Sequence, residues 1–127
     1  MRLIFDDWVF HDVNPIFIQL GNKLKKAILS DKISAGTKLP TIRSAAETLK
    51  ISSNTVAKAY ADVCRENLIC HQKNGSYIVT QDTDYIVKAR EDTANLIGFA
   101  YFNAMFELGY TKQEAVAVIQ DFLKKGH

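Results

Sequence analysis

From Phe17 onward, apolar residues return at three- and four-residue steps through Leu20, Leu24, Ala27 and Ile28, while Lys23, Lys25 and Lys26 fall mainly toward water. This period predicts an amphipathic helix. Asn14 can supply a capping oxygen, and Pro15 suits the first turn, where its missing N–H would have been unpaired anyway. The helix is expected to end near Asp31, before Ser34-Ala35-Gly36. Leu39 precedes Pro40 and is biased toward extended geometry. Thr41 then caps a short second helix, TIRSAAETLK, whose Ile42, Ala45, Ala46 and Leu49 form one stripe. After only Ile51-Ser52-Ser53-Asn54-Thr55, a third helix begins, with Val56, Ala59, Tyr60, Val63 and Cys64 on its buried side. Two helices joined so tightly must cross steeply. That is the layout of a helix-turn-helix, whose second helix offers its N-terminal residues to the major groove of DNA.

Two β-prone runs follow, residues 68–73 and 76–79, separated by Asn74-Gly75. Asn-Gly in that setting predicts a hairpin with a type I′ turn, which requires positive φ at both central residues. Past Gln81 the pattern changes: Ala94, Ile97, Tyr101, Ala104 and Leu108 step 3, 4, 3, 4 as a heptad-like seam, and Phe99, Phe102 and Phe106 line a neighbouring face. A helix apolar on more than one side needs a partner. Gly109 is placed to end it. Thr111-Lys112-Gln113-Glu114 has capping-box spacing, and Ala115, Val118, Ile119 and Phe122 predict a last amphipathic helix that stops near Lys124 and Lys125. The expected fold is therefore mainly α with a small β-hairpin (α+β): a winged helix-turn-helix over residues 1–80, including an N-terminal extension 1–14, then a C-terminal helical hairpin over 81–127.

Length and charge narrow the function. At 127 residues and 24% charged, the chain has room for one or two small soluble domains and not for a catalytic barrel or a doubly wound nucleotide-binding fold. The formal charge of +2 is unevenly spread: residues 1–80 hold 11 Lys/Arg against 7 Asp/Glu, and residues 81–127 hold 5 against 7. The basic part is the one expected to meet a polyanion. Asp6, Asp7 and Asp12 interrupt the apolar opening, which lacks the form of a signal peptide, and nothing reaches membrane-spanning length, so a cytoplasmic protein with no membrane partner is expected. Cys64 and Cys70, with scattered His11, His71 and His127, match no metal spacing. They read as reduced, partly buried thiols, with a redox-sensing pair as the alternative. There is no nucleophile–base pairing and no phosphate loop, so neither an enzyme nor a cofactor is expected.

The runs PIFIQL, AGTKLPTIRSAA, SSNTVAKAY, NLI and NGSYIV, in this order, closely resemble the GntR family of bacterial transcription regulators over about residues 15–80. The short tail is similar to the YtrA-type subgroup, in which two helices serve mainly for dimerisation. The resemblance implies an operator-binding homodimer on double-stranded DNA. It assigns DNA contact to Thr41 and Arg43 at the start of helix two, to Ser52, Ser53, Asn54 and Thr55 at the start of helix three, to Lys58 one turn further on, and to Lys73, Asn74 and Gly75 at the wing tip. A guanidinium at Arg43 can fork onto a guanine edge or a phosphate, and short hydroxyl and amide side chains at a helix start suit phosphates and base edges. Wing tips of this kind lie against or in the minor groove.

This chain departs from the family pattern at several points. Ser53 and Ala57 stand where many members carry Arg, which shifts direct readout toward Arg43 and Asn54. The wing glycine is displaced to Gly75, and Lys50 stands where Gly commonly closes helix two, at a cost of ~1 kcal/mol if its backbone is left-handed.

Plainer readings stand beside these assignments. Arg43 can pair with Glu47, Ser52 can serve only as a cap, Lys58 and Lys73 can be solubility charges, and Tyr60 fits the core. The aromatic stripe of residues 94–108 suits core plus dimer interface better than a ligand pocket, with Ala94, Ile97, Tyr101, Ala104, Leu108, Ile119 and Phe122 as the expected contact set. Trp8, with Phe5 and Phe10, is expected to pack on the body of the dimer. A tail this small leaves little room for a small-molecule effector, although one remains possible at a subunit boundary. The leading expectation is a homodimeric repressor on a near-palindromic operator; the alternative is a winged-helix protein-interaction module.

Overall fold

The structure, a computed structural model, describes residues 4, 5, 7–10 and 14–126. Asp6, His11, Asp12 and His127 lie outside the described residues, as does much of the extension 1–14. The elements run α1 (Ile16–Leu29), α2 (Ile42–Leu49), α3 (Ser53–Arg65), β1 (Ile69–His71), β2 (Tyr77–Val79), α4 (Thr83–Glu107) and α5 (Lys112–Lys124). This is the mainly α arrangement with a small antiparallel hairpin that the pattern predicts. Internal contacts divide the chain into Met1–Lys88 and Ala89–His127, with the division falling inside α4.

The first unit is built around α3, which packs against α1, α2 and β1. Leu20, Leu24 and Ile28 of α1, Ala45 and Ala46 of α2, and Val56, Ala59, Tyr60 and Val63 of α3 are all buried. These are the positions that helical periodicity selects, and each large apolar side chain fully buried stabilises by ~1.5 to 3 kcal/mol. Cys64 is only half-buried. Phe5 is 1% exposed and its ring lies 4.6 Å from that of Trp8. Phe5 therefore belongs to the core of this unit, and the half-buried Trp8 against it borders a cavity of about 490 Å³ together with Ala27 and Ile33.

Three features of this unit differ from expectation. Asn14 does not cap α1 through its side chain: Pro15 is the N-cap residue, with no side-chain cap bond, and the carbonyl of Asn14 instead accepts from Gln19 Nε2 at 2.6 Å. The hairpin turn is not type I′, because Asn74 does not have a positive φ whereas Gly75 does, at +90°. Gly75 N–H donates to Gln72 O at 3.0 Å and Gln72 N–H to Ser76 O at 2.7 Å, so Lys73-Asn74-Gly75 form a three-residue loop in which Gly75 alone takes the left-handed position. Lastly, residues 36–39 run alongside β2. Gly36 N–H donates to Val79 O, Val79 N–H to Thr37 O and Leu39 N–H to Tyr77 O, at 3.0, 2.9 and 2.8 Å. Lys38 forms an isolated bridge with Ile78, so β2 has β1 on one side and this extended segment on the other. The extended bias before Pro40 was legible; its partner forty residues on was not.

In the second unit, α4 ends at Gly109, whose φ is +92°. Thr111 Oγ1 accepts from Glu114 N–H at 3.2 Å and Thr111 N–H donates to Glu114 Oε1 at 2.9 Å, the predicted capping box. Tyr101 O–H donates to the Ala115 carbonyl at 2.6 Å and ties the two helices together. Among the described residues of this unit, Ala115 alone is buried. Leu96, Ile97, Phe99, Leu108 and Leu123 are each 66 to 73% exposed.

Candidate nucleic-acid interface

The candidate surface is assembled from two helix starts and a loop. At α2, Thr41 Oγ1 accepts from Ser44 N–H at 3.0 Å, which spends that oxygen on the cap and leaves the first-turn residues presented outward. Arg43 projects from this turn with its side chain 89% exposed, and its Nε stands 3.4 Å from Glu47 Oε1. The plainer reading of Arg43 is thus present as a contact. An exposed pair of this kind contributes at most ~1 kcal/mol, so the guanidinium can exchange it for a phosphate or a guanine edge at little cost.

Between the helices the chain turns at Lys50, whose φ of 58° and ψ of 45° put a lysine in left-handed geometry at the C-cap of α2. This is the conformation expected where relatives carry glycine. Ile51 N–H donates to Ala46 O at 3.1 Å and completes the turn. At α3, Ser52 Oγ accepts from Thr55 N–H at 3.1 Å and lies 2.7 Å from Thr55 Oγ1, so the two hydroxyls form one capping unit. Ser53 and Asn54 occupy the exposed first turn, beside N–H groups that have no partner inside the helix. A helix start of this composition accepts anionic oxygens through its backbone and reads base edges through its side chains.

Lys58 is exposed, with its Nζ 5.6 Å from the centre of the Phe17 ring, so the cation leans toward α1 and away from the tip of α3. In the wing, Asn74 Oδ1 accepts from both Ser76 N–H, at 3.0 Å, and Ser76 Oγ–H, at 2.7 Å. The carboxamide oxygen thereby shapes the loop. Lys73 and Gly75 are exposed at its tip, and a side chain at Gly75 would meet open space, so glycine is there for its φ and not for want of room.

Behind these tips lies a residue that periodicity assigns only to the core. Tyr60 is fully buried, and its hydroxyl donates to Pro40 O at 2.8 Å, one residue before the α2 cap. Burial, and secondarily Tyr77, push its pKa upward, so it remains a protonated donor. Its ring meets Tyr77 of β2 edge-on at 4.8 Å, and Tyr77 stacks on His71 of β1 at 4.3 Å and 3°. Burial, with Cys70 as the lesser cause, likewise raises Cys64, which is a thiol at neutral pH. Among the described residues no group of His, Cys, Asp and Glu could hold a metal, and no helix is long and apolar enough to cross a membrane.

Residues 18–79 match the family described as bacterial regulatory proteins, gntR family. This stretch is a GntR-family domain. The chain is 21% identical over 117 residues to YhcF of Bacillus subtilis (strain 168), an uncharacterized HTH-type transcriptional regulator, covering 92% of this chain and 97% of the relative. It is 35% identical over 65 residues to the HTH-type transcriptional repressor YtrA of the same organism, where the match takes in half of each chain. Among solved structures, a GntR family transcriptional regulator from Listeria monocytogenes superposes with a TM-score of 0.80 at 25% identity, covering 88% of this chain and 98% of that one. The chain accordingly carries a GntR-family domain over residues 18–79, and its fold as a whole is similar to that of the Listeria regulator. Such regulators are not enzymes.

Proposed function

We propose that this regulator is a cytoplasmic repressor that binds a near-palindromic operator as a homodimer, the head of residues 1–80 serving the DNA and residues 81–127 serving the pairing. The observation that carries the DNA half is the start of α3, where Ser52 to Asn54 are exposed and the Ser52–Thr55 caps leave backbone donors directed outward. Thr41, Arg43, Ser52, Ser53, Asn54, Thr55, Lys58, Lys73, Asn74 and Gly75 make up the contact set, with Arg43 and Asn54 reading bases and the others positioning the head on phosphates. Support for pairing comes from the tail. Ile97, Leu108, Ile119 and Phe122 are 66, 73, 42 and 57% exposed, and a monomer does not leave so much contiguous apolar surface in water without a use for it. Ala94, Tyr101 and Ala104 complete the contact set; Tyr101 is half-buried against α5 and contributes its ring edge, since its hydroxyl is committed to Ala115.

A two-fold dimer on this plan places its recognition helices in major-groove segments about 10 bp apart, or one further turn. The deciding experiment is a mobility-shift titration on the DNA upstream of the protein's own gene at rising salt, followed by footprinting across the genome. A retarded complex with a protected inverted repeat supports the proposal. Equal binding to random competitor overturns operator recognition in favour of a protein-interaction module, and a monomer by light scattering at micromolar concentration overturns the dimer.

A further inference from the structure

Three observations converge on Tyr60. Its hydroxyl donates to Pro40 O at 2.8 Å, immediately before the residue that caps α2. Its ring abuts Tyr77, 4.8 Å away in β2 of the wing, and Tyr77 stacks on His71 in the neighbouring strand. The segment that leads into Pro40 is itself bonded to β2 through Leu39 N–H and Tyr77 O at 2.8 Å. One buried side chain on α3 therefore touches both the segment that launches α2, one residue before Thr41 and three before Arg43, and the strand that carries the wing.

A core residue chosen only to fill space at this site needs no hydroxyl, and phenylalanine would do it. A buried hydroxyl must find a partner, and the one it finds is the carbonyl of Pro40, one residue ahead of the Thr41 cap of α2. We infer that Tyr60 is a positioning residue for DNA recognition: through Pro40 it holds the Arg43 turn at a set angle to α3, and through Tyr77 and His71 it holds the wing to the same helix. Arg43, the tip of α3 and the wing can then engage one half-site together. This inference rests on the proposed DNA-binding function and adds to it a residue that never touches the duplex. A displacement of about 1 Å at the start of α2 is enough to spoil a bidentate contact, whose geometry is strict, while it leaves phosphate contacts from flexible lysines nearly intact. Loss of the Tyr60 hydroxyl is thus expected to fall on specificity and not on general affinity.

The test uses the full chain and two fluorescent duplexes, one enriched from a random-sequence library by the wild-type protein and one of unselected sequence. Tyr60→Phe keeps the ring and removes the bond to Pro40. Its affinity for the enriched duplex should fall about five- to tenfold, the worth of one hydrogen bond, with affinity for the unselected duplex unchanged. In an Arg43→Ala background the same change should have less than half that effect, because Tyr60 acts through Arg43. His71→Ala, at an exposed position that does not endanger folding, should weaken the enriched complex by a few-fold and leave affinity for the unselected duplex unchanged. Parallel loss on both duplexes, or full additivity of Tyr60→Phe with Arg43→Ala, overturns the inference and returns Tyr60 to the core. If Tyr60→Phe does not fold, an equal loss on both duplexes caused by His71→Ala is the overturning result. Failure of the wild-type protein to enrich any duplex overturns the proposed function itself, which is a separate outcome.

Discussion

The two units of this chain solve the same problem in opposite ways. In Met1–Lys88 the apolar positions of three helices and a strand pair close on one another, from Leu20 to Val79, and polar groups are left at the surface as helix caps and a loop tip. Among the described residues of Ala89–His127 only Ala115 is buried, and residues such as Leu96, Ile97, Phe99, Leu108 and Leu123 face water. The head has spent its apolar surface on itself and presents polar chemistry; the tail holds together by a tyrosine–carbonyl bond and a capping box and presents apolar area. On the proposed function, the hydroxyls, amides and cations of the head would meet a polyanion, and the Ile, Leu and Phe of the tail a second apolar hairpin.

The largest effect that would break this contrast lies in the tail. Ile97→Asp together with Leu108→Asp should place charge in the pairing surface and raise the dimer dissociation constant by at least ~100-fold, at ~1.4 kcal/mol per decade, as read by analytical ultracentrifugation. Circular dichroism should show the helices of the head retained; an unchanged dimer would mean the exposed stripe has another use. Next comes the head's polar surface. Arg43→Ala should lower affinity for an enriched operator by ~1 to 3 kcal/mol without moving the melting temperature, since the pair it forms is with the exposed Glu47. Intact operator affinity would remove Arg43 from the readout.

Local stability sharpens the comparison further. Thr111→Ala should cost the tail ~1 kcal/mol by dissolving the capping box, visible as earlier melting of helical signal. In the head, Lys50→Gly should add up to ~1 kcal/mol, because glycine takes the left-handed turn at φ 58° without the steric cost that lysine bears there. A loss of stability on that substitution would show that the lysine stem contributes packing not apparent from its exposure. The smallest change expected is in salt dependence: Lys73→Ala should weaken all duplexes about equally and reduce the slope of log K against log salt by ~1 if the wing meets a phosphate. An unaltered slope would place the wing off the backbone.

Most of the helices were legible because their information is local. The three- and four-residue spacing of Leu20, Leu24 and Ile28, the Ser and Thr caps at 41, 52 and 111, and Gly109 each act within one or two turns of chain. The hairpin was legible in place but not in type, since Asn74-Gly75 permits both a two-residue turn with two left-handed residues and a three-residue loop with one; the commitment of Asn74 Oδ1 to Ser76 goes with the second. Asn14 misled because a capping residue and Pro15 stand together, yet the helix begins one residue later than that reading required.

What the amino-acid order determined by itself was the set of helices and the hairpin, the helical residues of the head's core, and the polar character of the helix starts and the wing tip. What only the tertiary structure decided were pairings between positions far apart in the chain: residues 36–39 against β2, Tyr60 against Pro40 and Tyr77, and Phe5 within the head's core with Trp8 against it. The reason is physical. A helix or a cap is stabilised by neighbours at fixed short spacing, whereas a strand edge or a buried hydroxyl is satisfied by whatever the completed fold brings to it, and that partner leaves no period in the sequence.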